Sequence, residues 1–366
     1  MDENPDYLSR QIITYIGNKR ALLPFIGEAL ARVRRRLAKD KLSIFDVFSG
    51  SGIVSRFFKQ YASLLVANDL ELYAQTINLC YLHNAAEEHL ERLKAVHASL
   101  LRNLDDESLE EGIISRLYAP RDDGAIQPGE RVFYTSRNAR YIDTVRRRID
   151  GLEEDYRPFF LAPLLAEASV HANTSGVFKG FYKNRESGRG RFGGTNADAL
   201  TRILAKIHLP FPVFSRFACP VRILREEAAA AAAKVPEVDV AYLDPPYNQH
   251  PYGSNYFMLN LICEYRQPEA ISPVSGIPQI WNRSNYNSRA RARAAFENLI
   301  RGIRAKFLLI SFNSEGFITR GEMPGILSGA GKVSVLETPY NTFRGSRNLK
   351  NRDIHVKEYL YLVERK

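Results

Sequence analysis

No run of about 18 consecutive apolar residues occurs in the chain, which excludes an ordinary membrane-spanning helix. The first residues, MDENPDYLSR, lack the basic, apolar and small-residue succession of a secretory signal. There are only three cysteines, Cys80, Cys219 and Cys263. They are far apart and lie in no CxxC or Cys/His cluster, which argues against a disulfide framework or a zinc site. A cytoplasmic protein with no structural metal is expected. Acidic residues are the minority charge: 41 Asp and Glu face 51 Lys and Arg, a formal net charge of +10. A basic excess of this kind favours a polyanionic partner, because cations that neutralise phosphates release condensed counterions.

The apolar pattern between these features is that of an α/β protein. Residues 21–39 alternate apolar and basic positions at helical spacing. KLSIFDVF (41–48) reads as a buried strand, SGSG (49–52) breaks it, and IVSRFFKQ (53–60) opens a helix. LLVAN (64–68) reads as a second strand, with an amphipathic helix from about Tyr73. Strand, glycine turn, helix, strand is one half of a doubly wound sheet. Residues 86–218 differ: they are helical in pattern and rich in Arg and Tyr. Within them, YKNRESGRGRFGG (182–194) has no apolar period and is expected to be a mobile loop. The sheet pattern then resumes with VRIL (221–224), a helix from Glu226 to Lys234, VDVAYL (238–243) and KFLLISF (306–312). VSVLE (333–337) and VKEYLYLV (356–363) are expected to pair as an antiparallel hairpin.

Two motifs carry chemistry. Asp46-Val47-Phe48-Ser49-Gly50-Ser51-Gly52 ends the first strand, where a glycine turn admits a ligand close to the backbone and exposes the next helix N-terminus. Asp69 ends the second strand, where nucleotide-type folds place a ribose-binding carboxylate about 20 residues on. A helix cap at Asn68 or Asp69 is the plainer reading. Asp244-Pro245-Pro246-Tyr247 follows an apolar strand and so sits at the carboxyl edge of the sheet, where open α/β folds bind ligands. The prolines hold the backbone extended and leave the carbonyls free to accept. An aromatic amine is a poor nucleophile because its lone pair is delocalised. Two acceptors, the Asp244 carboxylate and the Pro245 carbonyl, could bind its two N–H groups and favour a tetrahedral nitrogen, with Tyr247 stacked on the base. Such a base must leave the duplex. Asp-Pro-Pro is otherwise ordinary turn chemistry.

On these motifs the sequence resembles the α class of adenine-N6 DNA methyltransferases, the group that includes the Dam methylases. The resemblance covers roughly residues 12–85 and 220–366. It rests on Tyr15-Ile16-Gly17-Asn18-Lys19-Arg20, similar to the family's N-terminal Y/W-x-G-G-K with Asn18 in place of the second glycine. It rests also on Phe48-Ser49-Gly50-Ser51-Gly52 for FxGxG, on Asp69, and on an intact Asp244 to Tyr247. The motif order is the α-class order, with the cofactor motifs first and DPPY nearly 200 residues later.

The resemblance implies a Rossmann-like, mostly parallel methyltransferase sheet with an antiparallel C-terminal hairpin. It implies a catalytic domain of residues 1–85 and 219–366, with 86–218 inserted as a mainly helical target-recognition region. S-adenosyl-L-methionine is the implied cofactor, held by Tyr15, Gly17, Lys19, Asp46, Phe48, Ser49, Gly50, Ser51, Gly52, Asp69, Asp244 and one of Glu226 or Glu227. The implied partner is double-stranded DNA, alongside a restriction endonuclease acting independently. Candidate DNA contacts are Lys179, Lys183, Arg185, Arg189 and Arg191, interleaved with Phe181, Tyr182 and Phe192, together with Arg137, Arg140, Arg344 and Asn348. Residues 311–315 are expected to line the pocket, and His171 to be structural. Cytosine-C5 transfer is discounted, since no cysteine follows a proline. An RNA-base methyltransferase and an inactive nucleic-acid-binding protein with a methylase fold remain alternatives at this stage.

Overall fold

The computed structural model describes residues 2–194, 197, 199–313, 316–341 and 355–366. Its frame is a seven-stranded sheet in the order β3-β2-β1-β4-β5-β7-β6. The strands are β1 (Leu42–Asp46), β2 (Ala62–Asn68), β3 (Val221–Leu224), β4 (Val238–Leu243), β5 (Ala305–Asn313), β6 (Gly331–Asn341) and β7 (His355–Arg365). The first five are mutually parallel, and β7 runs antiparallel to both β5 and β6. The expected strands and C-terminal hairpin are all present. Strand order reverses between β1 and β4, so the loops leaving their carboxyl ends part there and open a crevice.

Each face of the sheet is covered, which is why the central strands are apolar on both sides. Ile44, Leu65, Val240, Tyr242, Leu309, Leu360 and Leu362 face α2 (Leu23–Leu37) and α3 (Ile53–Phe58). Phe45, Val66, Ala241, Leu243, Ile310 and Tyr361 face α10 (Ala228–Lys234), α13 (Arg289–Gly302) and α14 (Met323–Ser328). The period of two assigns the polar strand tips as well. Asp244 continues the Tyr242 face. Asn313 opposes Glu358 across the β5–β7 ladder, and Ser311 lies two residues before Asn313. All four therefore point toward the start of α2. The helix expected from Glu226 begins instead at Ala228, because the Glu227 carboxylate accepts from Ala229 N at 2.8 Å and caps it.

The remaining helices build a second layer. α1 (Pro5–Ser9) and α4 (Leu72–Tyr81) precede α5 (Glu87–Leu101), α6 (Ile113–Tyr118), α7 (Ser136–Asp150), α8 (Arg157–Val170) and α9 (Leu200–Leu204). After β4 come α11 (Tyr252–Asn255) and α12 (Phe257–Glu264). One apolar core joins α4, α7, α8 and α12 through Tyr73, Ile77, Ile142, Val145, Phe160, Leu164, Phe257 and Leu261. The buried Arg146 guanidinium donates to the Ile262 and Cys263 carbonyls at 2.7 and 2.8 Å, tying α7 to the end of α12. Residues 86–218 thus pack on elements from both sides of them in the chain.

The Gly/Arg-rich segment expected to be a mobile loop carries a short hairpin. Lys183 and Gly190 form an antiparallel bridge, and Asn184 N donates to Arg189 O at 2.8 Å. The buried Asn173 side chain fixes the base of this hairpin, bonding Arg191 O and Gly193 N at 2.9 and 3.0 Å. Asn-rich turn chemistry supplied the order that apolar periodicity did not indicate.

Candidate active site

The crevice between β1 and β4 is a cleft that reaches from the glycine turn to Asp244. Tyr15, Gly17, Lys19, Phe48, Ser49, Gly50, Ser51, Asp69, Glu226, Glu227, Asp244 and Pro246 all line it. Residues nearly 200 positions apart, such as Gly50 and Asp244, are brought together because β1 and β4 are neighbours in the sheet.

The floor is the turn after β1. Gly50 has φ +50°, and a Cβ there would lie 2.8 Å from the Tyr15 ring. Gly52 has φ +75° and would meet Asn78 Oδ1 at 2.7 Å. Both positions exclude a side chain for conformational and steric reasons together. Asp69 fixes the turn: Gly50 N donates to its Oδ2 at 2.8 Å and Glu71 N to its Oδ1 at 3.0 Å. Burial raises the Asp69 carboxyl above its ordinary value, against those backbone bonds.

Two of the expected cofactor residues are not in the cleft. Asp46 is fully buried, accepts from Ser55 Oγ at 2.6 Å, and is pushed up to about 7 by burial. It braces the helix behind the turn. Gly52 is the N-cap residue that precedes α3. Glu226 and Glu227 both reach the cleft, but Glu226 is ion-paired with Lys234 and Glu227 caps α10.

The wall opposite β1 is aromatic. Tyr15 stacks on Tyr252 and Tyr256, with ring centroids 5.0 and 4.9 Å apart. The Tyr256 hydroxyl accepts from Ile16 N at 2.7 Å, and the Tyr252 hydroxyl donates to Ile16 O at 3.1 Å. The two tyrosines clamp both polar groups of one residue and so hold the loop that carries Lys19. Glu71, pushed up to about 7 by burial, accepts from Asn260 Nδ2 at 2.6 Å and from Asn282 Nδ2 at 3.0 Å. Sequence reading missed this whole contribution from residues 252–287. It has no motif, and only the recurring tyrosines signalled it.

At the far end, Lys19 Nζ lies 3.1 Å from Asp244 Oδ1 and 2.9 Å from Glu358 Oε1. Lys19 and Glu358 are 3% and 2% exposed, so the pair is shielded from solvent screening. Burial works against the ammonium, but Asp244 and Glu358 outweigh it and hold it charged. Asp244 is pushed up to about 6, chiefly by burial; Lys19 opposes that shift and Glu358 adds to it. Lys19 thus meets the strand-tip carboxylate directly. Pro245 and Tyr247 stand beside the cleft and do not line it. The Tyr247 ring packs 5.8 Å from Phe312, and its carbonyl accepts from Phe317 N at 2.8 Å. Ser311 donates to Glu358 at 2.8 Å and lies behind the cleft.

The basic candidates divide. Arg137 pairs with Asp106, and Arg140 with Glu111. Arg191 folds back onto the carbonyls of Gly193 and Gly194. Lys179, Lys183, Arg185 and Arg189 are exposed, with Lys183 over the Phe181 ring at 4.9 Å. Phe178 N donates to Asn255 O at 2.7 Å, which seats their hairpin against α11 at the cleft. His171 is buried between Glu167 and the Arg202 carbonyl, as expected of a structural residue. Arg344, Asn348, Ser314 and Glu315 lie outside the described residues.

A Rossmann-like sheet whose switch-point cleft joins a glycine turn to a strand-tip DPPY defines a methyltransferase. The family model for D12 class N6 adenine-specific DNA methyltransferase matches residues 15–272. The chain belongs to that family and is an adenine-specific DNA methyltransferase. It is 29% identical to the type II methyltransferase M.NlaIII of Neisseria lactamica, over 96% of this chain and 99% of that protein. It is also 29% identical to the type II methyltransferase M.CviAII of Paramecium bursaria Chlorella virus 1, over 96% and 98%. With the modification methylase StsI of Streptococcus sanguinis it shares 25% identity over 96% of this chain and 52% of that protein. No described helix is long and apolar enough to cross a membrane.

Proposed function

We propose that the cleft binds S-adenosylmethionine and that Asp244 presents the N6 amine of an adenine extruded from duplex DNA. The observation that carries the reading is the single cleft joining Gly50 to Asp244. The residues fit such a ligand. The turn at Gly50 admits backbone contact that a Cβ would fill. Asp69 and Glu71 supply carboxylate oxygens at the tip of β2, and Phe48 and Tyr286 offer apolar ring surface. When bound, the cofactor supplies a methyl group on a sulfonium sulfur.

The chain's own part is orientation and electrostatics. Asp244 and the Pro245 carbonyl, which accepts from no described group, take the two N–H groups of the amine. Localising the lone pair on nitrogen makes it attack in line, and the water-poor site strengthens the interaction with Asp244. Lys19 keeps Asp244 ionised by countering its burial. The exposed cations of the hairpin at residues 182–194, with Lys179, hold the phosphates, and residues 86–218 carry target recognition. The enzyme serves a restriction–modification system, its product protecting DNA from an endonuclease that acts separately.

The test is expression in a host without adenine methylation, followed by mapping of modified bases in genomic DNA. N6-methyladenine within one recurring sequence is expected. Unmodified DNA, or methyl incorporation into RNA alone, contradicts the proposal.

A further inference from the structure

The proposed chemistry gives Asp244 a role but leaves a second buried carboxylate unexplained. Glu358 lies on β7, a strand flanked on both sides by β5 and β6. It is 2% exposed, yet it faces the same ammonium as Asp244. An isolated charge at that depth is costly, and one Lys–Asp pair would need no third member. Its placement is built: Ser311 Oγ donates to Glu358 Oε1 at 2.8 Å, the oxygen that also meets Lys19.

We propose that Glu358 is a positioning residue for methyl transfer, sharing Lys19 with Asp244 so that the buried cluster keeps a net negative charge beside the attacking amine. This rests on the reading that Asp244 binds that amine. Two carboxylates about one ammonium leave one negative charge; Lys19 with Asp244 alone would leave none. The sign matters because of how charge moves. The amine lone pair forms the N–C bond, the electron pair of the C–S bond stays on sulfur, and positive charge arrives on N6. The nitrogen then loses an N–H proton to Asp244 and on to solvent. An anionic cluster favours each of these changes, where a neutral pair would be indifferent. Among the described residues, the other titratable groups acting on Lys19 and Asp244 include Tyr242, Tyr247 and Tyr252, with Asp46 behind them.

The experiment compares wild type, Glu358→Gln and Glu358→Asp by initial rate against pH, with cofactor binding measured directly. For Glu358→Gln we expect kcat to fall at least about tenfold and cofactor affinity to be retained. The acidic limb should move to lower pH, because a negative neighbour of Asp244 has gone. Glu358→Asp keeps the charge and should leave the limb where it is. Wild-type kcat and limb in Glu358→Gln overturn the inference. So does a lower rate that follows lost cofactor binding with the limb unmoved, which is the mark of a merely structural role. If Glu358→Gln does not fold, Ser311→Ala carries the test: kcat should fall several-fold with cofactor affinity unchanged, and an unchanged kcat overturns the inference. Asp244→Ala is run in parallel. Activity there removes the underlying reading and this inference with it, whereas inactivity there beside a normal Glu358→Gln removes this inference alone.

Discussion

The acid sensitivity of the reaction follows from the depth of one carboxylate. Asp244 has to be ionised to accept the amine, and its carboxyl is pushed from 3.8 to about 6 by burial that Lys19 only partly offsets. Activity is therefore present above that value and is lost as pH falls through it. At pH 5 a group titrating near 6 is ionised in only about one tenth of molecules, whereas an ordinary Asp would still be almost fully ionised. The rate at pH 5 should be roughly a tenth of the plateau. The assay is the initial rate of methyl incorporation with both substrates far below saturation, which reports groups of the free enzyme. Asp46 and Glu71 also titrate high, each at about 7, so Asp46→Asn and Glu71→Gln serve as controls. A profile flat to below pH 5, or a limb that vanishes in either control, refutes the assignment to Asp244.

Other expectations concern binding. Gly50→Ala must adopt a left-handed conformation, at about 1–2 kcal/mol, and meets a Tyr15 ring pinned by Tyr252 and Tyr256. Calorimetry should show cofactor affinity at least about tenfold weaker, and wild-type affinity contradicts the packing argument. Asp69→Ala releases the Gly50 and Glu71 amides and should likewise weaken cofactor binding, so an unchanged dissociation constant removes Asp69 from the site. Replacing Arg185 and Arg189 with Ala should lower DNA affinity and flatten its salt dependence by roughly 0.9 per lost contact, with cofactor binding unaltered. An unchanged salt slope places the DNA elsewhere.

The strand ends were the legible part of the sequence. FSGSG and DPPY interrupt apolar runs, and a breaker at the carboxyl end of a parallel strand has few structural alternatives. Lys19 was legible as a residue and not as a contact, since its partners come from β4 and β7, far along the chain. Glu358 was the missed signal. In a strand with a solvent face a Glu is unremarked, but β7 lies between two strands with both faces covered, so a charge there needed a partner. That reasoning requires the strand order, which periodicity does not contain. The same limit hid Tyr252, Tyr256 and Asn282. In the basic region composition named the arginines without their neighbours, and only the fold showed Arg137 and Arg140 already paired with acids.

The claim on which everything else depends is that the carboxylate of Asp244 engages the target amine, and Asp244→Ala tests it most directly. Methyl transfer to duplex DNA and cofactor affinity should be measured on the same purified sample. The account predicts transfer reduced by a factor on the order of 1000 with cofactor affinity within a few-fold of wild type. Transfer at a wild-type rate would contradict it.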